Sequence, residues 1–207
     1  MTGTRHARPG FERLGHGLLI AVVLTLTACA QYTLVKGDKR IEVGDAFSVE
    51  PQIAWTRIAN PLHSGKTEVW TVDGPFLQLL RFYKGIDDSQ VLEELTDSAG
   101  NPIKNLPTFT KDMSPIEISE LFETTLARAG AQQFKMDRIR PATFAGTNGF
   151  RFDFHFAIES GLKKIGFAVG AVRDGKLYMI SYVGTSLHYF GKDKGIVEHL
   201  IGSAQMI

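Results

Sequence analysis

The sequence predicts an α+β fold, a single domain in which a central antiparallel sheet of about six to seven strands has helices packed on it. Three observations carry that expectation. Phe150, Phe152, Phe154, Phe156 and Ile158 alternate with Arg151, Asp153, His155 and Ala157, the two-residue period of a strand with one buried face. Thr147-Asn148-Gly149, Ser160-Gly161 and Asp174-Gly175 interrupt the apolar runs at hairpin spacing. Ser114, Pro115 and Glu117 together form a helix-start signal, a capping box with proline at the first helical position.

Composition bounds the rest. The 207 residues are 43% apolar and 22% charged, with 23 Lys+Arg against 22 Asp+Glu, an ordinary globular balance without the basic field that nonspecific nucleic-acid binding needs. A single cysteine excludes an internal disulfide and any multi-cysteine metal site.

That cysteine sits in an informative context. Arg5, Arg8 and Arg13 precede the nine-residue apolar run Leu18 to Leu26, a signal-peptide pattern too short for a spanning helix of about 20 residues. Leu26-Thr27-Ala28-Cys29 follows and resembles the lipobox of bacterial lipoproteins at every position. The resemblance implies a diacylglyceryl thioether on Cys29, cleavage just before it, and a further acyl chain of the palmitate class on the new amine. Leu26, Thr27 and Ala28 would be the peptidase recognition residues. One acyl chain is a marginal anchor, and two or three hold firmly. The alternative is an ordinary signal peptide or short membrane anchor with a coincidental cysteine. Removing residues 1–28 leaves 20 Lys+Arg against 21 Asp+Glu, turning the formal charge from +1 to −1. Ala30 is not the Asp that commonly retains such proteins in the inner membrane, so the resemblance favours the outer membrane, with the domain facing the periplasm. The expected organisation is a signal peptide at 1–28, a lipidated N-terminus and short tether at 29–44, and the α+β domain at 45–207.

The elements follow in order. Phe47 to Val49, Ile53 to Ile58, Thr67 to Val72 and Phe76 to Phe82 read as strands, broken by Asn60-Pro61 and Asp73-Gly74-Pro75. Residues 76–83 are apolar on both faces, as expected of a central strand covered on both sides or of one keeping a face for a partner. Residues 84–113 are polar and rich in turn formers, a length that usually marks a functional loop. From Ser114, the residues Ile118, Leu121, Phe122, Leu126 and Ala129 share one helical face, and Gly130 ends the helix. Four strands follow at 133–141, 149–158, 163–173 and 176–184. A last helix over 188–205 turns Ile196, Val197, Leu200, Ile201 and Ala204 inward.

With this order on the page, the chain resembles a second family. Trp55 in Ile53-Ala54-Trp55-Thr56, then Glu68-Val69-Trp70, the helix opened by Ser114-Pro115 and Glu117, Gly149-Phe150-Arg151-Phe152, Gly175-Lys176-Leu177-Tyr178 and the closing Ile201-Gly202-Ser203 look like the PsbP-like fold. That fold is shared by extrinsic proteins of the photosynthetic oxygen-evolving complex and by a nuclear-import factor that binds the GTPase Ran. The resemblance spans about residues 45–206. It implies a helix-covered antiparallel sheet and work in binding or assembling proteins, and it carries over no functional residue.

Chemistry-bearing motifs are sparse. Nucleophile-elbow, dinucleotide, phosphate-loop, zinc-protease and EF-hand patterns are missing from the sequence, so no catalytic residue and no metal ligand is assigned, and the chain is expected not to be an enzyme. Asp153 and His155 share a strand face and offer two ligands at most. The alternative is a solvated face opposite the phenylalanines, pairing across strands with residues such as Lys164. Asp87, Asp88, Glu93, Glu94 and Asp97 form an acidic cluster, readable as paired carboxylates or as a solvated loop. Trp55, Trp70, Tyr83, Asp87 and Asp88 are the candidate ligand or partner surface, with core packing the alternative for the aromatics.

The expected function is that of a membrane-anchored, periplasm-facing lipoprotein without catalysis, binding or helping assemble another envelope protein. It would have no cofactor beyond the lipid on Cys29 and no nucleic-acid partner. The alternative is a small-molecule or lipid-binding module, or a hydrolase with an unrecognised site. A cavity of several hundred Å³ with convergent polar groups favours the alternative, and an exposed apolar patch on a packed body favours the first.

Overall fold

A computed structural model of the chain describes residues 32–59 and 65–207, together with Gly3. Leu26 to Cys29, expected to form a lipobox, and Asn60-Pro61 lie outside the described residues.

Eleven strands and two helices are described. In chain order they are β1 (Tyr32–Val35), β2 (Ile41–Val43), β3 (Phe47–Val49), β4 (Trp55–Ile58), β5 (Thr67–Thr71), β6 (Gln78–Ile86), α1 (Pro115–Arg128), β7 (Gln132–Phe144), β8 (Thr147–Ala157), β9 (Lys163–Arg173), β10 (Lys176–Thr185), α2 (Tyr189–Gly202) and β11 (Gln205–Met206). Eight strands form one sheet in the order β1-β4-β5-β6-β10-β9-β8-β7, and β11-β3-β2 form a second, smaller sheet. Every pairing is antiparallel.

The expected helix-covered antiparallel sheet forms, with eight strands against an expected six to seven. The segment expected as tether supplies part of the excess: Tyr32 pairs with Ile58 and Val35 with Trp55, while Ile41 pairs with Val49. The folded body therefore begins at Tyr32 rather than at residue 45. Strands of three or four residues are too short to show a two-residue period of their own.

The large sheet is covered on both faces. Along β6, Leu80 and Phe82 point into one core, and Tyr83 and Ile86 into the other, as the two-sided apolarity of residues 76–83 predicts. The first core is closed by α2 and the small sheet. Trp70 and Phe82 meet there tilted, at 4.5 Å between ring centroids, and Phe47 from β3 lies 6.1 Å from Phe82. In the second, α1 docks on the phenylalanine row of β8, with Phe122 5.2 Å from Phe152 and 5.1 Å from Phe154. Gly166 of β9 makes room for that row, since a Cβ there would sit 2.5 Å from the Phe154 ring.

Helix α1 begins as its sequence requires. The Ser114 side chain accepts from the Glu117 N–H, and the Glu117 carboxylate accepts from the Ser114 N–H at 2.7 Å. Ala129, expected on the buried face, is exposed because the helix has already ended at Arg128. Beyond β6, residues 87–113 form an ordered cover instead of a free loop. Phe109 N–H donates to the Gln90 carbonyl at 2.7 Å, and Leu92 and Phe109 are buried in the core beneath α1.

Candidate functional site

Three connections meet at one end of the large sheet: the turn from β5 to β6, the turn from β8 to β9, and the junction of β10 with α2. Backbone hydrogen bonds tie them together. Thr185 N–H donates to Leu77 C=O at 2.9 Å, and Ser186 N–H donates to Lys163 C=O at 3.1 Å. The first turn is shaped by Gly74, whose φ of 103° suits glycine. It is held by Thr71, whose hydroxyl donates to Gln78 C=O at 2.8 Å and accepts from Gly74 N–H at 3.0 Å. These anchors push two apolar side chains outward: Phe76 is 81% exposed and Leu187 is 93% exposed.

Below Phe76 lies a cleft of about 180 Å³ between the sheet and the last turn of α1, lined by Leu79, Leu126, Phe156 and Val183 with Lys164 and Arg81 as its cations. Lys164 stands opposite Phe156 in the strand register, so it belongs to the phenylalanine face. That corrects the expectation that it would pair with the solvated face of β8. Its residue is 7% exposed, its amine donates to the Phe76 carbonyl, and burial lowers its pKa. Taking an ammonium this far out of water is costly, and such groups cluster at sites that bind something.

Arg81, the other cation, is held deeper by Glu93 at 3.1 Å. Nearby Tyr83 has its pKa pushed up to about 12, chiefly by burial. On the opposite face of the same sheet end, Gln78 Nε2 donates to Asp193 Oδ2 at 2.5 Å, and burial raises the Asp193 pKa. Lys192 binds Asp73 at 2.7 Å, which raises the lysine's pKa.

The residues chosen from sequence are distributed differently. Trp55 and Trp70 are core residues under α2, and Tyr83 is a core residue under α1, at 1%, 0% and 1% exposure. These three are corrected from candidate surface to interior packing. Asp87 bridges Lys66 at 3.0 Å and Lys176 at 2.8 Å, and their hydrogen bonds hold its carboxyl below the ordinary range. Asp88 accepts from the Lys111 N–H at 3.0 Å. The acidic cluster is thereby split into separate local tasks: Glu93 is buried on Arg81, and Asp97 accepts from the N–H groups of Ala99 and Asn101 within its own turn.

Asp153 lies between Arg140 at 2.6 Å and Arg151 at 3.0 Å, and Arg151 forks onto Glu198 of α2 at 2.7 and 2.9 Å. His155 pairs with Asp137 at 2.9 Å. Among the described residues no group of three or more His, Cys, Asp or Glu is placed to hold a metal. No described helix is long and apolar enough to cross a membrane.

Leu187 carries no sequence signal of a site, Lys164 reads as a solvated strand lysine, and Phe76, expected in a strand, lies in the turn that follows Asp73-Gly74-Pro75. Leu187 is an apolar residue between Thr185-Ser186 and His188, where a connection would ordinarily be polar.

No family model matches the chain, and no curated protein matches it. Solved structures do. The cyanobacterial PsbP (CyanoP) from Synechocystis aligns with 87% of this chain and 95% of its own at a TM-score of 0.51 and 11% identity. LpqN of Mycobacterium tuberculosis, described as involved in cell envelope biogenesis, covers 85% of this chain and 90% of its own at a TM-score of 0.34 and 11% identity. The second likeness is too distant to add weight, and identity this low in the first speaks for fold alone. With its large antiparallel sheet and two helices in a single domain, the chain has a PsbP-like fold.

Proposed function

We propose that this chain is a lipoprotein anchored through Cys29 in the outer membrane, facing the periplasm. Its domain has no catalytic role and binds, or helps assemble, another envelope protein. The observation that carries the proposal is the sheet end where Phe76 stands exposed at the Lys164 cleft, with Leu187 exposed in the β10–α2 connection tied to the same end. Exposed apolar side chains on a packed body mark interaction surfaces, and they serve best where a neighbouring pocket can take an anchor side chain.

The cleft defines the partner's chemistry. Its 180 Å³ is below the roughly 300–1,000 Å³ of small-molecule sites but accommodates one apolar side chain. Lys164 supplies a buried positive charge for a carboxylate beside that side chain. The partner segment therefore carries an apolar residue next to an acidic one.

Site-specific photocrosslinking in cells tests this. A crosslinker at Phe76 or Leu187 is expected to capture one and the same envelope protein, while a crosslinker at exposed Asp112 in the 87–113 cover captures none. Capture from Asp112 alone would move the surface to that cover. Repeated failure at all three positions, with a small amphipathic anion co-purifying, would replace the reading by the ligand-binding alternative. Labelling with palmitate is expected to require Cys29 and to disappear in Cys29→Ala.

A further inference from the structure

Strand β1 is the outermost strand of the large sheet, and its two outward side chains are apolar: Tyr32 is 59% exposed and Leu34 is 65% exposed. Alternation places them on one face while Val35 turns into the core beneath α2. Register sets Tyr32 opposite half-buried Ile58, and Leu34 opposite Thr56. Since Ile58 pairs with Val69, and Val69 with Arg81, this strip lies on the α1 side of the sheet. Helix α1, however, packs over β7 and β8 at the far edge. The 87–113 cover, anchored by Glu93 on Arg81 of β6, likewise leaves the β1 edge open, with Tyr32 and Leu34 more than half exposed.

Covalent geometry limits what can lie against it. Cys29 is three residues before Tyr32, and an extended chain spans at most about 3.6 Å per residue, so the acylated residue is held within about 11 Å of β1. Lys36 and Lys39, both exposed, follow at the other end of the strand, with exposed Asp38 between them. Arg57, opposite Thr33, is occupied by Glu68 at 2.7 Å. A tyrosine, a leucine and nearby lysines are the residue types that settle at a lipid headgroup boundary.

We infer that the β1 edge lies on the bilayer, with Tyr32 and Leu34 seated in the headgroup region, so that the large sheet stands edge-on to the membrane. This rests on the lipidation of Cys29. Strands are spaced about 4.8 Å apart, so β7, seven strands from β1, stands about 34 Å away. The start of β6, three strands from β1, lies about 14 Å along the same direction. The sheet end bearing Phe76 is thereby presented near the membrane surface, in reach of another anchored protein.

The test uses the full, lipidated chain in vesicles of phosphatidylethanolamine and phosphatidylglycerol doped with a headgroup-nitroxide phospholipid. Cys29 is acylated, so one introduced cysteine can carry a fluorophore: Leu34→Cys, or Tyr32→Cys should the first fold poorly, against Arg138→Cys on β7. Strong quenching at 34 or 32 and none at 138 is expected. Equal quenching at both edges, or none at 34 and 32 while the protein floats with the vesicles, overturns the orientation. A chain that neither floats nor takes up palmitate overturns the anchor itself, and the orientation with it, by a different readout.

Discussion

The two faces of the large sheet are built from similar apolar material and do different things with it. Under α2 and the small sheet, Trp55, Trp70, Phe47 and Phe82 interlock with Val197, Leu200 and Ile201, and the charges at this face are tied within the fold, Asp193 to Gln78 and Arg151 to Glu198 over the Phe167 ring. Under α1, the phenylalanine row of β8 is equally dry, yet it shares the face with the Arg81–Glu93 pair and with Lys164. Charges are expensive to bury and are retained where specificity or binding uses them. The difference lies in access: on the α1 face the buried cations Lys164 and Arg81 line an open cleft, which is the surface of the proposed site.

Variants can break that contrast, beginning with the largest effect. Trp70→Ala should destabilise the domain by about 4 kcal/mol in urea unfolding, since it empties a buried aromatic site and releases Glu68, which accepts from the Trp70 indole at 2.7 Å. On the other face, Glu93→Ala leaves the buried Arg81 guanidinium without this carboxylate and should cost about 3 kcal/mol. The double change Arg81→Met with Glu93→Leu should recover most of that loss. Had both faces been packed alike, no such recovery would be seen.

Smaller effects sharpen the picture. Burial raises the pKa of Asp193, so above pH 3.8 the folded state holds a proton that the unfolded chain has lost. Stability from this group is present below pH 3.8 and declines as pH rises through the folded-state value. Asp193→Asn, which retains an acceptor for Gln78, should remove that decline, visible as a wild-type-minus-variant stability difference that falls as pH rises. Lys164 has the opposite sense: its lowered pKa means that the unfolded chain binds the extra proton, so stability from it increases as pH rises toward 10.5. Lys164→Met should abolish this increase and be no less stable than wild type at neutral pH. Least of all, Ser114→Ala should cost about 1 kcal/mol through loss of the cap of α1.

Much of this architecture is legible in the sequence where the signal is local. The capping box at Ser114, the glycine turns and the alternation of Phe150 through Ile158 each need only a few neighbouring residues to be read, and each forms as expected. The two-sided apolarity of β6 likewise announced a central strand. What failed depended on register. Lys164 looks like any solvated strand lysine until its pairing with Phe156 puts it on the buried face. Trp55 and Trp70 read equally as cleft or core, and only their contact across paired strands, with centroids 6.5 Å apart, decides for core. Strands β1 and β2, of four and three residues, are too short to declare themselves by alternation. The candidate site was therefore largely hidden, because an exposed apolar residue in a turn carries no periodicity.

The most direct test of the account is in-cell crosslinking from Leu187 in three backgrounds: wild type, Phe76→Ser and Lys164→Met. The account predicts a single protein product in wild type, weakened in Phe76→Ser and lost in Lys164→Met, with unchanged amounts of folded, membrane-bound protein in all three. An undiminished product in both variants would contradict it, because the apolar tip and the buried lysine would then have no part in recognising the partner.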